Sequence, residues 1–207
     1  TAVYVFWSVQ LRAETDERTE VTPGDLAEIE GMQDGPVDDD EVYVGFDAAY
    51  ERLMDWLRSK EPDRQCWNWA GSDMTAGWVA RRMALETAIH RIDAEQAQKM
   101  ASPIDTALAL DGIDERIAVH LAVDVPDAPE ASLQGSLCLV CSDADRAWVV
   151  EVGGGRLNWR NGRGPADAVL VGDSSSLFQF TWNRVGPDAL SLTGRREVAD
   201  AWATLPV

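Results

Sequence analysis

Histidine is nearly absent. The 207 residues hold only His90 and His120, so no site built from three of the chain's own histidines can exist. Lysine is as scarce, Lys60 and Lys99 alone, and acids outnumber bases 36 to 18 for a formal net charge of −18. Phosphate backbones and anionic lipid surfaces are repelled by such a surface, which argues against nucleic acid or a membrane as the partner. Three cysteines, Cys66, Cys138 and Cys141, are too few and too odd for a secreted disulfide framework, and a cytoplasmic location is the expectation. No apolar run nears the roughly 18 residues of a membrane helix, and no basic start with a small-residue cleavage site reads as a secretory signal.

What is present is the balance of a soluble globular protein: 45% hydrophobic, 8% aromatic and 26% charged. Length allows one large domain or two small ones. Between Glu14 and Asp47 lie 13 acids and a single base, Arg18, and this stretch, broken by Pro23-Gly24, Gly31 and Gly35-Pro36, reads as a solvated connection with at most one short helix.

Apolar spacing then sets the expected elements. Val3, Phe6, Trp7 and Leu11 predict a helix. Phe46, Ala49, Tyr50, Leu53, Trp56 and Leu57 step by three and four and predict an amphipathic helix that ends before Pro62. Ser72 and Asp73 are candidate caps for a longer helix from about Met74 to Lys99, and 104–117 adds another helical piece. Near residue 120 the texture changes. Short runs at 133–141, 147–152, 156–159 and 168–171, separated by Gly, Asn and Asp, predict strands. A helix over 174–182, a strand at 190–193 and a last helix over 195–205 follow. The order predicts an α+β protein, with a helical domain over 1–118 and a small α+β domain with a mainly antiparallel sheet over 119–207.

Few residues could carry chemistry. Glu86 and His90 are four apart, one helical turn, so a carboxylate and an imidazole project from one face and could share a divalent metal. Arg82 lies a turn before them and Asp93 nearly a turn after. Zinc suits this mixed donor pair, with iron, nickel or manganese as alternatives, and an ordinary Glu/His surface pair is the other reading. Cys138-x-x-Cys141 lies in an apolar run and reads as two core thiols. Gly172-Asp173-Ser174 reads as a helix cap, since no late histidine follows to serve a hydrolase. Gly153-Gly154-Gly155 reads as a hairpin turn, and His120 as a strand or interface residue.

Trp67-Asn68-Trp69, the block Trp78-x-x-Arg81-Arg82-x-x-x-Glu86-x-x-x-His90-Arg91-x-Asp93-Ala94-Glu95 and Asp111-Gly112-Ile113-Asp114-Glu115 together resemble the mycothiol-dependent maleylpyruvate isomerase family. So do Gly164 to Val171, the run Leu177-x-x-Phe180-x-Trp182-x-Arg184, and Leu190-x-Leu192-x-Gly194. The resemblance implies an N-terminal DinB-like four-helix bundle and a small C-terminal domain. It implies Glu86 and His90 as metal ligands, with Arg82 and Asp93 around them, and Arg184 as the residue that pairs a substrate carboxylate. The family's further histidine ligand would precede Thr1. Thr1 opens without Met in what reads as mid-helix, so an N-terminal truncation is expected, with outright loss of the ligand as the alternative.

The resemblance also implies a reaction. Mycothiol, a low-molecular-weight thiol, would be held as thiolate by the metal and add to the cis double bond of a small anionic substrate such as maleylpyruvate. Rotation and expulsion of the thiol would complete an isomerase cycle, whereas an S-transferase would keep the adduct. Rivals are a hydrolase that uses metal-bound hydroxide and a non-catalytic ligand- or protein-binding member with a degenerate metal site. Monomer and homodimer both remain open.

Overall fold

The computed structural model describes residues 2–27, 39–125, 134–153, 156–202 and 205. Parts of the expected acidic connection, of the join between domains, of the Gly153-Gly154-Gly155 turn and of the last helix lie outside the described residues. The chain divides into two compact units, Thr1–Glu86 and Thr87–Val207, and the division falls inside one helix. The sequence texture changes later, at 118/119. The helices between these two points join the sheet-bearing unit because α5 (Thr106–Glu115) packs on α7 (Ser174–Thr181).

The first unit is helical: α1 (Ala2–Ala13), α2 (Pro23–Ala27), α3 (Asp39–Ser59) and the start of α4 (Ala76–Ala97). α1 and α3 pack through aromatics, Tyr4 lying 5.6 Å from Phe46 and 6.3 Å from Tyr50, centroid to centroid. Trp7 stacks on Trp67 and tilts against Trp78, and Trp69 meets Trp78 edge-on. The tryptophans thus spend their area on packing. Buried Gln10 donates to the Thr19 carbonyl and accepts the Thr19 N–H, which ties the chain beyond α1 back onto it. Asp25 accepts the Thr22 amide and hydroxyl and pairs with Arg12, and its pKa falls to about 2, chiefly through the Thr22 bonds.

Buried Asn68 shapes the loop before α4, donating to the carbonyls of Ser72 and Asp73 and accepting the Gly71 N–H. The cap of α4 is Thr75, whose hydroxyl accepts the Trp78 N–H at 3.2 Å. Ser72 and Asp73 do not cap it. Asp73 takes a left-handed conformation instead, φ 46°, and hands the chain to Thr75.

The second unit contains the rest of α4, then α5, a π-helical turn (Arg116–His120), α6 (Leu121–Asp124) and a five-stranded sheet with α7 and α8 (Arg196–Trp202). The strands are β1 (Gly135–Cys141), β2 (Ala147–Gly153), β3 (Arg156–Asn161), β4 (Ala168–Gly172) and β5 (Ser191–Gly194), in the order β3-β2-β1-β4-β5. Only β1 and β4 run parallel, so the sheet is mainly antiparallel. β1 is central and covered on both faces, which explains its unbroken apolar run. Cys138 and Val140 join Ala147 and Val149 on one face, and the other presents Leu137, Leu139 and Cys141, all buried. Burial pushes the thiols of Cys66 and Cys141 up to about 11. Asp173 caps α7 by accepting the Ser176 N–H, so Gly172-Asp173-Ser174 is a helix start.

His120 is not in a strand. It ends the π-helical turn, where apolar residues recur at helical spacing, and its ring meets Trp182 edge-on at 4.8 Å. Arg116, fully buried, lies over the same indole and donates to the Thr181 carbonyl. Among the described residues no helix is long and apolar enough to cross a membrane.

Candidate functional site

α4 carries four of the five residues singled out in the sequence. Arg82 is buried and pairs with Glu86, four residues on, along the helix. Glu86 is about a quarter exposed and His90 well exposed, its side chain at 60%. Both lie on α4, four residues apart in the chain.

Beyond His90, in the second unit, the structure assembles a three-residue chain. His90 Nδ1 lies 3.0 Å from Asp93 Oδ2. Arg184 donates to Asp93 twice, Nε to Oδ1 and Nη2 to Oδ2, both at 2.8 Å, and its Nη1 donates to the Trp182 carbonyl at 2.7 Å. Bidentate charge-assisted bonds of this kind fix a carboxylate in position and orientation. The pKa of Asp93 is lowered, first by the Arg184 hydrogen bonds, against opposing burial and with further help from His90. A carboxylate that holds one ring nitrogen of a histidine directs the other toward a ligand, the arrangement usual behind metal-bound histidines. With Nδ1 engaged by Asp93, a metal at His90 would be taken by Nε2.

The presentation of Arg184 has a local cause. α7 ends at Trp182, and Asn183 turns left-handed, φ 58°. The Asn183 N–H then reaches the Phe180 carbonyl at 3.0 Å and the Arg184 N–H the Gln179 carbonyl at 2.8 Å. This is the paired termination in which Asn or Gly occupies the turning position. It sets Arg184 against the last turns of α4, where Gln96 also donates to the Gln179 side chain and the Arg184 carbonyl. Sequence reading did not include Asn183, although a lone Asn after a helical run is its signal.

Arg184 was expected to face a substrate carboxylate, and its guanidinium lies on Asp93. Within this structure Arg184 contacts Asp93, and Asp93 in turn contacts His90. As for a metal, the donor types of Glu86 and His90 suit one and the Asp93 contact supports His90 in that role. Catalytic zinc sites use three protein ligands, and among the described residues no group of three or more His, Cys, Asp and Glu is placed to hold a metal ion. The described residues therefore offer two donors and not a complete site.

Residues 1–95 match the family described as mycothiol maleylpyruvate isomerase N-terminal domain. Over that stretch, a little under half of its length, the chain is similar to that family. The match includes Arg82, Glu86, His90 and Asp93 and ends before Arg184. No curated protein matches the chain. A solved structure, sterol carrier protein 2, is similar at 15% identity, with a TM-score of 0.30, over 47% of this chain and 95% of that one.

Proposed function

We propose that this protein is a mycothiol-dependent isomerase or S-transferase acting on a small anionic substrate such as maleylpyruvate, in the cytoplasm. The observation that carries the reading is the family match over the helix that bears Glu86 and His90, with His90 held by Asp93 and Asp93 by Arg184. Glu86 and His90 would supply two donors to a divalent metal, zinc first. Such a metal holds a thiol in its nucleophilic, deprotonated form. The chain's own residues do the rest. Asp93 orients the imidazole, and Arg184 keeps Asp93 ionised and in place. The guanidinium also puts a positive charge beside His90 in a strongly acidic protein, where a substrate carboxylate would compete with Asp93 for it.

A second reading has an observation of its own. Glu86 is already paired with Arg82 and Asp93 with Arg184, and among the described residues two donors fall short of a closed site. That favours a non-catalytic member that binds a thiol or anionic ligand without turning it over. The test is incubation of the zinc-loaded protein with mycothiol and maleylpyruvate, following the loss of the cis acid and, by mass spectrometry, any S-conjugate. Product that depends on both protein and thiol supports the first reading. Thiol binding without isomer or conjugate overturns it in favour of the second.

A further inference from the structure

β3 is an edge strand of unusual charge. From Gly153 to Ala166 the chain has three arginines, Arg156, Arg160 and Arg163, and no acid, within a protein of net charge −18. All three are exposed, and among the described residues none forms an ion pair, whereas Arg12, Arg82, Arg146, Arg184, Arg195 and Arg196 each hold a carboxylate. β3 pairs with β2 on one side, and no described strand pairs with the other.

The register shows which groups that open side presents. The Gly162 N–H reaches the Ala147 carbonyl at 2.8 Å, and Trp148 stands opposite Asn161. Hydrogen-bonded and non-bonded pairs alternate along an antiparallel ladder. Arg156, Asn158 and Arg160 therefore turn their backbone groups to β2, and Leu157, Trp159 and Asn161 turn theirs outward. Side chains alternate as well. Arg156 and Arg160 occupy one face of the strand, and Leu157 with the exposed Trp159 the other. Arg160 also lies over Gly164, where any Cβ would collide with its guanidinium, and donates to the Arg163 carbonyl. A pocket of about 210 Å³ at the strand's end, lined by Asp145, Arg146, Asn161 and Arg163, continues this surface.

We propose that the open edge of β3 accepts an extended acidic segment of a partner protein as an added strand. The outward amides and carbonyls of Leu157, Trp159 and Asn161 would supply the ladder, as in other strand-addition interfaces. Carboxylates at alternate positions would meet Arg156 and Arg160, and apolar residues between them would meet Leu157 and Trp159. The same arginines disfavour a second copy of β3, whose own arginines would be brought alongside.

The probe is a fluorescently labelled Glu-Val-Glu-Val-Glu-Val-Glu peptide, read by anisotropy, with amide hydrogen exchange as the second measurement. Binding should weaken about tenfold in Arg156→Ala/Arg160→Ala and fall at high salt, and a Lys-Val peptide of the same length should not bind. Exchange should slow at Leu157, Trp159 and Asn161. Trp159→Pro removes an outward N–H while leaving the bonds to β2, and should abolish binding. Should that variant misfold, the double arginine variant decides. The proposal is overturned if the Glu-Val peptide does not bind, binds the double variant equally well, or protects other amides, and equally if a single-stranded oligonucleotide takes the edge and the peptide does not.

Discussion

Arg184 and Asp93 face each other in a two-bond clasp, each bond 2.8 Å long, although 91 positions separate them in the chain. The pair is partly exposed, so its share of stability is small, about 0.5–1 kcal/mol, and its weight falls on position. Arg184→Ala leaves Asp93 without its clasp and removes the positive charge beside His90. On the isomerase reading, kcat/KM for a dicarboxylate should drop about 10- to 100-fold. Lys should restore part only, since an ammonium cannot make both parallel bonds. Steady-state kinetics of the two variants checks this, and unchanged turnover in Arg184→Ala would remove the arginine from the site.

Asn183 is expected to matter through its backbone. Ala at a left-handed position costs about 1 kcal/mol, whereas Gly adopts it freely. Asn183→Ala should lower the urea midpoint and Asn183→Gly should change it little. If activity follows the same order, the termination of α7 is what sets Arg184. Equal stability of the two variants would contradict the role given to the turn.

Asp25 should make the fold acid-sensitive in a narrow window. Its folded pKa, about 2, lies below the ordinary carboxylate value, so the ionised form stabilises the native state. That contribution is complete above about pH 4 and is lost as pH falls toward 2. Asp25→Asn should be less stable at pH 7 and show a shallower loss across that window. Denaturation series at several pH values would reveal it, and an unchanged slope would place the acid sensitivity elsewhere.

Zinc should bind this chain weakly. The two donors found among the described residues leave the remaining positions to water and forgo the affinity of a closed site. Metal content after dialysis should fall well below one per chain, and His90→Ala should abolish what remains. Tight, stoichiometric zinc that survives dialysis would reveal a ligand beyond Glu86 and His90.

The helices were legible wherever packing repeats with the helical period. Phe46 to Leu57 and the run after Trp78 show it, and α3 and α4 are there. The strands were legible because Gly, Asn and Asp punctuate them. The helix start at Thr75 was not, because Ser72, Asp73 and Thr75 are all good caps and only the turn built on Asn68 selects among them. His120 lies in a helical turn and not in a strand, the difference being illegible because four apolar or small neighbours look alike in a strand and in a buried helix. At the candidate site, Glu86, His90 and Asp93 were visible as a spacing. The clasp from Arg184 was not derivable from periodicity, since it depends on a contact between residues far apart in sequence; family resemblance alone singled that arginine out.

The parallel pairing of β1 with β4 also bears on how the sheet assembles. β1, β2 and β3 are joined by short connections and can zip together locally, in microseconds if they behave as ordinary hairpins. β4 can join only after the chain has travelled out and back, closing a loop across which Ser136 and Asp167 meet, 31 positions apart. Closure of that kind is slow relative to local pairing. At the meeting point the Asp167 carboxylate accepts both the amide and the hydroxyl of Ser136, and that hydroxyl accepts the Asp167 N–H. This reciprocal knot rewards one alignment of β4 and penalises any slip, so it would act late, as the step that commits a preformed meander to its final register.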